Sequence, residues 1–135
     1  MMHHIVEILD SYTYNGSVFE FTLGEYMDSG LPRLGETVWC DEITTGCVEL
    51  ARVSHEVIRV WKEISNDGKQ YTAEVVIFDT ERGKLLQYAI RLGVDIEWSF
   101  RKVGTMSENV VSDVEILSLD ARLVRNRDQE QTHNK

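Results

Sequence analysis

The sequence predicts an all-β fold, an antiparallel barrel of seven to eight strands or a strongly curved sandwich joined by hairpins and meanders. Three observations predict it: long runs in which apolar and polar residues strictly alternate, hairpin-type turn dipeptides between the runs, and a single proline in 135 residues. The clearest run is Leu86, Tyr88, Ile90, Leu92, Val94, Ile96, Trp98 and Phe100, with Gln87, Ala89, Arg91, Gly93, Asp95, Glu97 and Ser99 between them. Eight apolar residues at period two do not share one stripe of a 3.6-residue helix, so the run reads as one long strand or two joined by a bend at Gly93.

From the N-terminus, Asn15-Gly16 favours a tight hairpin that sets Tyr14 opposite Ser17. Val6, Ile8, Asp10, Tyr12 and Tyr14 then share a face with Phe19, Phe21 and Leu23. Gly24 to Gly35, holding Pro32, follows as a loop. Glu36 to Cys40 and Cys47 to Ser54 read as a second hairpin or bent pair. Asp67-Gly68 favours another two-residue turn with Asn66 opposite Lys69, which places Ile64 with Tyr71, Val60 with Val75 and Ile58 with Ile77; Lys62 is the polar intruder on that face. The stretch Asp79 to Lys84 looks like a type I turn closed by a bulge at Gly83 with positive φ, pairing Val75 with Tyr88 and Ala73 with Ile90. Leu117, Leu119, Ala121 and Leu123 alternate as a closing strand. A helical rival, Val110, Val114, Leu117, Ala121 and Val124 at 4-3-4-3 spacing, lacks a capping-box acid after Ser107.

Residues 1–125 are expected to form one domain, and 126–135, with nothing to bury, a disordered tail. A hydrophobic content of 42% suffices for one core, and 27% charged residues argue for a folded, water-facing surface. No apolar run reaches about 18 residues and no export signal opens the sequence, so a soluble, cytoplasmic, non-membrane protein is expected. Net charge is −9, and residues 1–50 carry nine acids against Arg33 alone. Such a surface repels phosphate, which disfavours nucleic acid, and suits solvation or a cationic protein partner. Cys40 and Cys47 are expected as buried thiols; flanking one hairpin loop, they come near enough for a disulfide in an oxidising compartment.

Phosphate loops, zinc spacings, nucleophile elbows and calcium loops are all missing from the sequence, and no cofactor or metal is implied. Asp10 stands out because a carboxylate on an apolar face needs a partner or water. It either sits at an open barrel end or, with Tyr12, Tyr14 and Arg33, faces a small-molecule cavity as a binding group or general base. His55 shares a face with Val53, Val57 and Phe78, opposite Ile58 and Val60, and is expected half-buried and hydrogen-bonded. On that second face Arg59, Trp61 and Arg91 have the composition of an interface; the alternative is that Arg59 and Glu74 are simply a cross-strand ion pair of modest value. The function expected is therefore a non-enzymatic, self-associating interaction module, with a small-molecule-binding barrel, with or without acid/base activity at Asp10, as the alternative.

Overall fold

In a computed structural model, residues 1–8, 16–65, 68–107 and 110–124 are described, and they form six strands and two α-helices. The order along the chain is β1 (Met2–Ile8), α1 (Gly16–Met27), β2 (Leu34–Trp39), β3 (Val53–Ser65), β4 (Gly68–Ile77), α2 (Glu81–Leu92), β5 (Ile96–Ser107) and β6 (Val110–Leu123), with a 3-10 turn at Leu50–Arg52. The strands make one sheet in the order β1-β4-β3-β2-β6-β5, curled into a half-barrel whose first and last strands approach each other. Five strand pairings hold it, all antiparallel except β2 with β6. The expected fully antiparallel barrel of seven to eight strands is thus corrected to a mixed six-stranded sheet. β2 causes the mixing, because its first half pairs with β3 (Leu34 with Glu56, Gly35 with His55) and its last half runs parallel to β6 (Thr37 with Ala121, Trp39 with Leu123).

The largest correction lies at Leu86 to Leu92, which is helix and not strand. Local chemistry decides it. Thr80 caps the N-terminus by accepting the Gly83 N–H at 3.1 Å, Glu81 stands in the first turn, and Gly93, at φ 73°, closes the C-terminus with its N–H on Ile90 O. A capped helix satisfies the backbone groups at both ends, and its buried positions, Gly83, Leu86, Gln87 and Ala89, follow helical spacing. Tyr88 and Leu92, two of the four alternating apolar residues between Leu86 and Leu92, face solvent. Consequently Val75 lies beside His4 and Val57, and Ala73 beside Val6 and Val60, instead of Tyr88 and Ile90. Gly83 does not adopt positive φ; it is needed because an added Cβ would press on the Phe78 carbonyl, 2.8 Å from its carbon. Only from Ile96 onward does the alternation become a strand, with Trp98 and Phe100 buried.

The expected N-terminal hairpin is replaced as well. Gly16–Met27 is α1, and β1 pairs with β4 instead, Val6 opposite Ala73 and Ile8 opposite Tyr71. Phe19, Leu23 and Tyr26, one helical face, are buried, whereas Phe21 is exposed. Phe19 meets the Tyr71 ring edge-on at 5.1 Å and the Phe100 ring at 5.9 Å, so α1 bridges β4 and β5 and fills the hollow of the half-barrel. The core is continuous: Val6, Ile8, Val57, Ala73, Val75, Ile77, Leu86, Trp98, Leu119 and Ala121 belong to it.

The β3–β4 pairing has Ser65 opposite Gly68, two positions from the expected register, so Lys62 faces Tyr71 and Val60 faces Ala73. Between Val57 and Arg59 an irregularity skips Ile58. An extra residue on one strand turns the following side chains over. Hence Val57 and His55 join the core side and Ile58 is left exposed, the reverse of the alternation reading. The strand reading of Leu117 to Leu123 holds in β6, and the Arg59–Glu74 pair is present at 3.7 Å. No helix among the described residues is long and apolar enough to cross a membrane.

Candidate functional site

The polar chemistry of this molecule gathers where β2 passes from β3 to β6. His55, on β3 opposite Gly35, is fully buried. Its Nε2 faces the Leu119 carbonyl at 2.7 Å, so that nitrogen carries the proton and donates. In the neutral ring Nδ1 then accepts from Ser54 Oγ–H at 2.6 Å, and Ser54 Oγ in turn accepts from Thr37 Oγ1–H at 2.6 Å. One chain of hydrogen bonds thus runs Thr37, Ser54, His55, Leu119, with every side chain sealed from solvent. Trp98 closes over the imidazole with ring centroids 5.1 Å apart. Burial lowers the His55 pKa to about 4, against a weaker opposing pull from the Leu119 carbonyl. Gly35 is required here: a Cβ at that position would run into His55 Nε2 and the Leu119 carbonyl and lie 2.8 Å from His55 Cδ2.

Beside this chain lies a buried ionic cluster. Arg101 Nε donates to Asp120 Oδ2 at 2.8 Å, and its Nη2 stands 2.8 Å from Glu36 Oε2 and 2.7 Å from Asp120 Oδ2. Asp120 Oδ1 also accepts the Ser118 hydroxyl at 2.9 Å and the Glu36 backbone N–H at 3.1 Å. Burial works against the Arg101 charge, but the Asp120 and Glu36 carboxylates overcome it and raise its pKa. Glu36 Oε1 and the Tyr26 hydroxyl make no hydrogen bond among the described residues, and burial raises the tyrosine pKa.

Four arginines fasten the connection from β2 to β3 onto this cluster. Arg101 Nη1 donates to Thr45 O and Cys47 O, and Arg122 Nη1 to Trp39 O, Cys40 O and Glu42 O. Arg82 from α2 forks onto both oxygens of Glu42, and Arg52 binds Ile43 O at 2.9 Å and pairs with Glu42 and Glu49. The Arg82 hydrogen bond, above other causes, holds the Glu42 carboxyl down at about 2. The loop so fixed turns apolar groups outward: Ile43 is 82% and Leu50 81% exposed, and Trp39 is exposed beside them in sequence. Cys40 and Cys47 are exposed and unbonded in it, not the buried thiols expected.

The residues singled out from sequence are scattered by the fold. Asp10, Tyr12 and Tyr14 fall outside the described residues, as do Asn66-Asp67 and the tail. Arg33 Nε and Nη1 donate to Val57 O and Met27 O, tying the end of α1 to β3. Arg59 and Trp61 do meet, the guanidinium 4.7 Å from the ring centroid, but Arg91 is on α2 and not on a strand of the same face. Arg101, Asp120, Glu36, Thr37, Ser54 and the loop-binding arginines were not singled out. Their signal is the presence of polar residues on strands that the sheet buries on both faces, where Ser118 and Asp120 are as hidden as Leu119 and Ala121. Among the described residues no group of three or more His, Cys, Asp or Glu is arranged to hold a metal.

No family model and no curated protein matches the sequence. Among solved structures, the fold is similar to that of the bacteriophage T4 capsid assembly protease, gp21. The likeness has a TM-score of 0.66 at 16% identity and covers 90% of this chain and 81% of that one. The class so defined is a mostly β half-barrel with the architecture of that protease; the likeness is one of fold.

Proposed function

We propose that the chain is a non-enzymatic protein-contact module that works in capsid assembly and self-associates. The observation that carries this reading is the connection between β2 and β3, immobilised by Arg52, Arg82, Arg101 and Arg122 while presenting Ile43 and Leu50 to solvent. Large apolar groups on a pre-ordered loop lose little entropy on binding, which is the economy of a contact surface. The sealed His55, with both nitrogens engaged, supports a structural role for the one imidazole at the sheet centre. The Arg59–Trp61 face of β3 is the second contact surface in this reading.

Sedimentation equilibrium tests it. The mass average is expected to rise with concentration and to fall back to the monomer in Ile43→Asp with Leu50→Asp. A strict monomer at high concentration overturns the proposal. A second reading, a peptide hydrolase, is favoured by the likeness to a capsid assembly protease. Ser99, half-buried and opposite Asp120 in the β5–β6 register, is its candidate hydroxyl. Labelling by a fluorophosphonate probe that disappears in Ser99→Ala establishes the hydrolase and removes the non-enzymatic reading.

A further inference from the structure

The outer side of α1 carries a combination that the core does not explain. Phe21, Gly24, Glu25 and Asp28 follow one another at helical spacing and line an open depression of about 470 Å³. Phe21 is 69% exposed, although its neighbours Phe19 and Leu23 are buried. At Gly24 an added Cβ would meet nothing within 4 Å, so alanine fits there without contact. Glycine is nonetheless present inside the helix, where it is a poorer helix former than any residue but proline. Its effect is to keep the floor of the depression bare beside the Phe21 ring.

Electrostatics specifies the visitor. Glu25 is in the last turn of α1 and Asp28 just beyond it, at the end where the helix dipole is already negative, and that turn holds no basic side chain. Neither carboxylate has an ion pair among the described residues, whereas Glu20, elsewhere on the helix, is taken by Lys62 at 2.8 Å. An aromatic face flanked by two carboxylates attracts an ammonium or guanidinium group over the ring. The net charge of −9 favours the approach of basic chains to the molecule as a whole.

We propose that this face of α1 is a docking site for a Lys/Arg-rich peptide segment of a partner protein, with one cationic side chain over the Phe21 ring between Glu25 and Asp28 and the peptide backbone lying across Gly24. The surface is separate from the arginine-pinned loop, so the two ideas stand or fall apart.

The test is fluorescence anisotropy with a labelled twelve-residue peptide of alternating lysine and arginine, titrated with the full chain at low and moderate salt. Phe21→Ala is expected to weaken binding about 3- to 5-fold, the size of an exposed cation–π contact. Glu25→Gln with Asp28→Asn weakens it further and flattens the salt dependence. Gly24→Gln fills the depression with a better helix former, so helix content by circular dichroism is kept while affinity falls about tenfold, equivalent to about 1.4 kcal/mol. Glu7→Gln with Asp41→Asn, an equal change in net charge elsewhere, stays within about twofold of wild type if the site is local. Ile43→Asp with Leu50→Asp leaves peptide binding unchanged. The proposal is overturned if the peptide does not bind, if the Glu7/Asp41 pair weakens binding as much as the Glu25/Asp28 pair, if Gly24→Gln has no effect, or if Phe21→Ala instead dissolves a dimer, which would make a second copy the occupant.

Discussion

Acidification of the protein through the range in which His55 takes up a proton tests the sealed hydrogen-bond chain directly. In the folded chain the imidazole is held neutral by burial, with a pKa of about 4, against the ordinary 6.5 of an exposed histidine. Because the unfolded state binds the proton more readily, stability rises with pH between about 4 and 6.5, is complete above that window and is lost on descending through it. The gap of about 2.5 units corresponds to about 3 kcal/mol, a substantial part of the stability of a domain of this size. Urea unfolding at steps from pH 7.5 to 4 measures it, and the slope should approach 1.4 kcal/mol per pH unit in the middle of the window, the limit for one proton. Burial also lowers the pKa of His4 in β1, so the series is run in a His4→Gln background. Glu42, held at about 2 by Arg82 against an ordinary 4.5, loses its contribution as the pH falls from about 4.5 toward 2, so the His55 slope is read above about pH 5. Proton NMR of the ring C–H resonances gives the wild-type value without relying on a His55 variant. A His55 resonance titrating near 6.5, or a flat stability profile between pH 4.5 and 6.5, would refute the sealed site.

Gly35→Ala should destabilise the fold by about 2–4 kcal/mol, since the new methyl group collides with both partners of the His55–Leu119 hydrogen bond and that bond is buried; an unchanged urea midpoint contradicts the packing described. Arg101→Met leaves Asp120 and Glu36 buried without their cation and should cost about 3–5 kcal/mol, recovered in part when Asp120→Asn is added; additive losses in the double variant would show that the two side chains do not interact. Gly83→Val should unfold α2 locally through its clash with the Phe78 carbonyl, at a cost of about 1–3 kcal/mol, and amide exchange across Glu81–Leu92 reports it; a variant with wild-type protection there argues against the close approach. Gly93→Val should cost about 1–2 kcal/mol because its left-handed φ disfavours a branched side chain, read as a lower thermal midpoint with the sheet's exchange pattern kept.

Much of the sheet is determined by the sequence alone. Alternation identifies which side of β1 and β4 is buried, Val6 and Ile8 with Tyr71, Ala73, Val75 and Ile77, because a strand's two faces follow directly from its period of two. The same reasoning finds Trp98 and Phe100 on β5, the Arg59–Glu74 pair, and a strand for Leu117 to Leu123. It errs at Leu86 to Leu92 because leucine, tyrosine and isoleucine at even positions satisfy strand alternation and part of a helical stripe at once. The deciding caps, Thr80 and Gly93, are local and legible, but they read equally as turn residues until the backbone groups at both ends must be satisfied. Phe19, Leu23 and Tyr26 are ambiguous in the same way, and it is the hollow of the curled sheet, lined by Tyr71 and Phe100, that selects the helix.

The remainder was settled by tertiary structure. Skipping Ile58 moves His55 from the outer face to the core, and nothing in the residues flanking it announces the irregularity. The ionic cluster joins Glu36 to Asp120 across 84 positions through a parallel pairing of β2 with β6. Sequence spacing carries no information about such a contact, because which strands become neighbours is fixed by how the whole sheet closes and buries its apolar faces. Once it has closed, charges that alternation assigns to solvent are enclosed between strands, and they remain there because each finds an opposite charge or a backbone partner within hydrogen-bond reach.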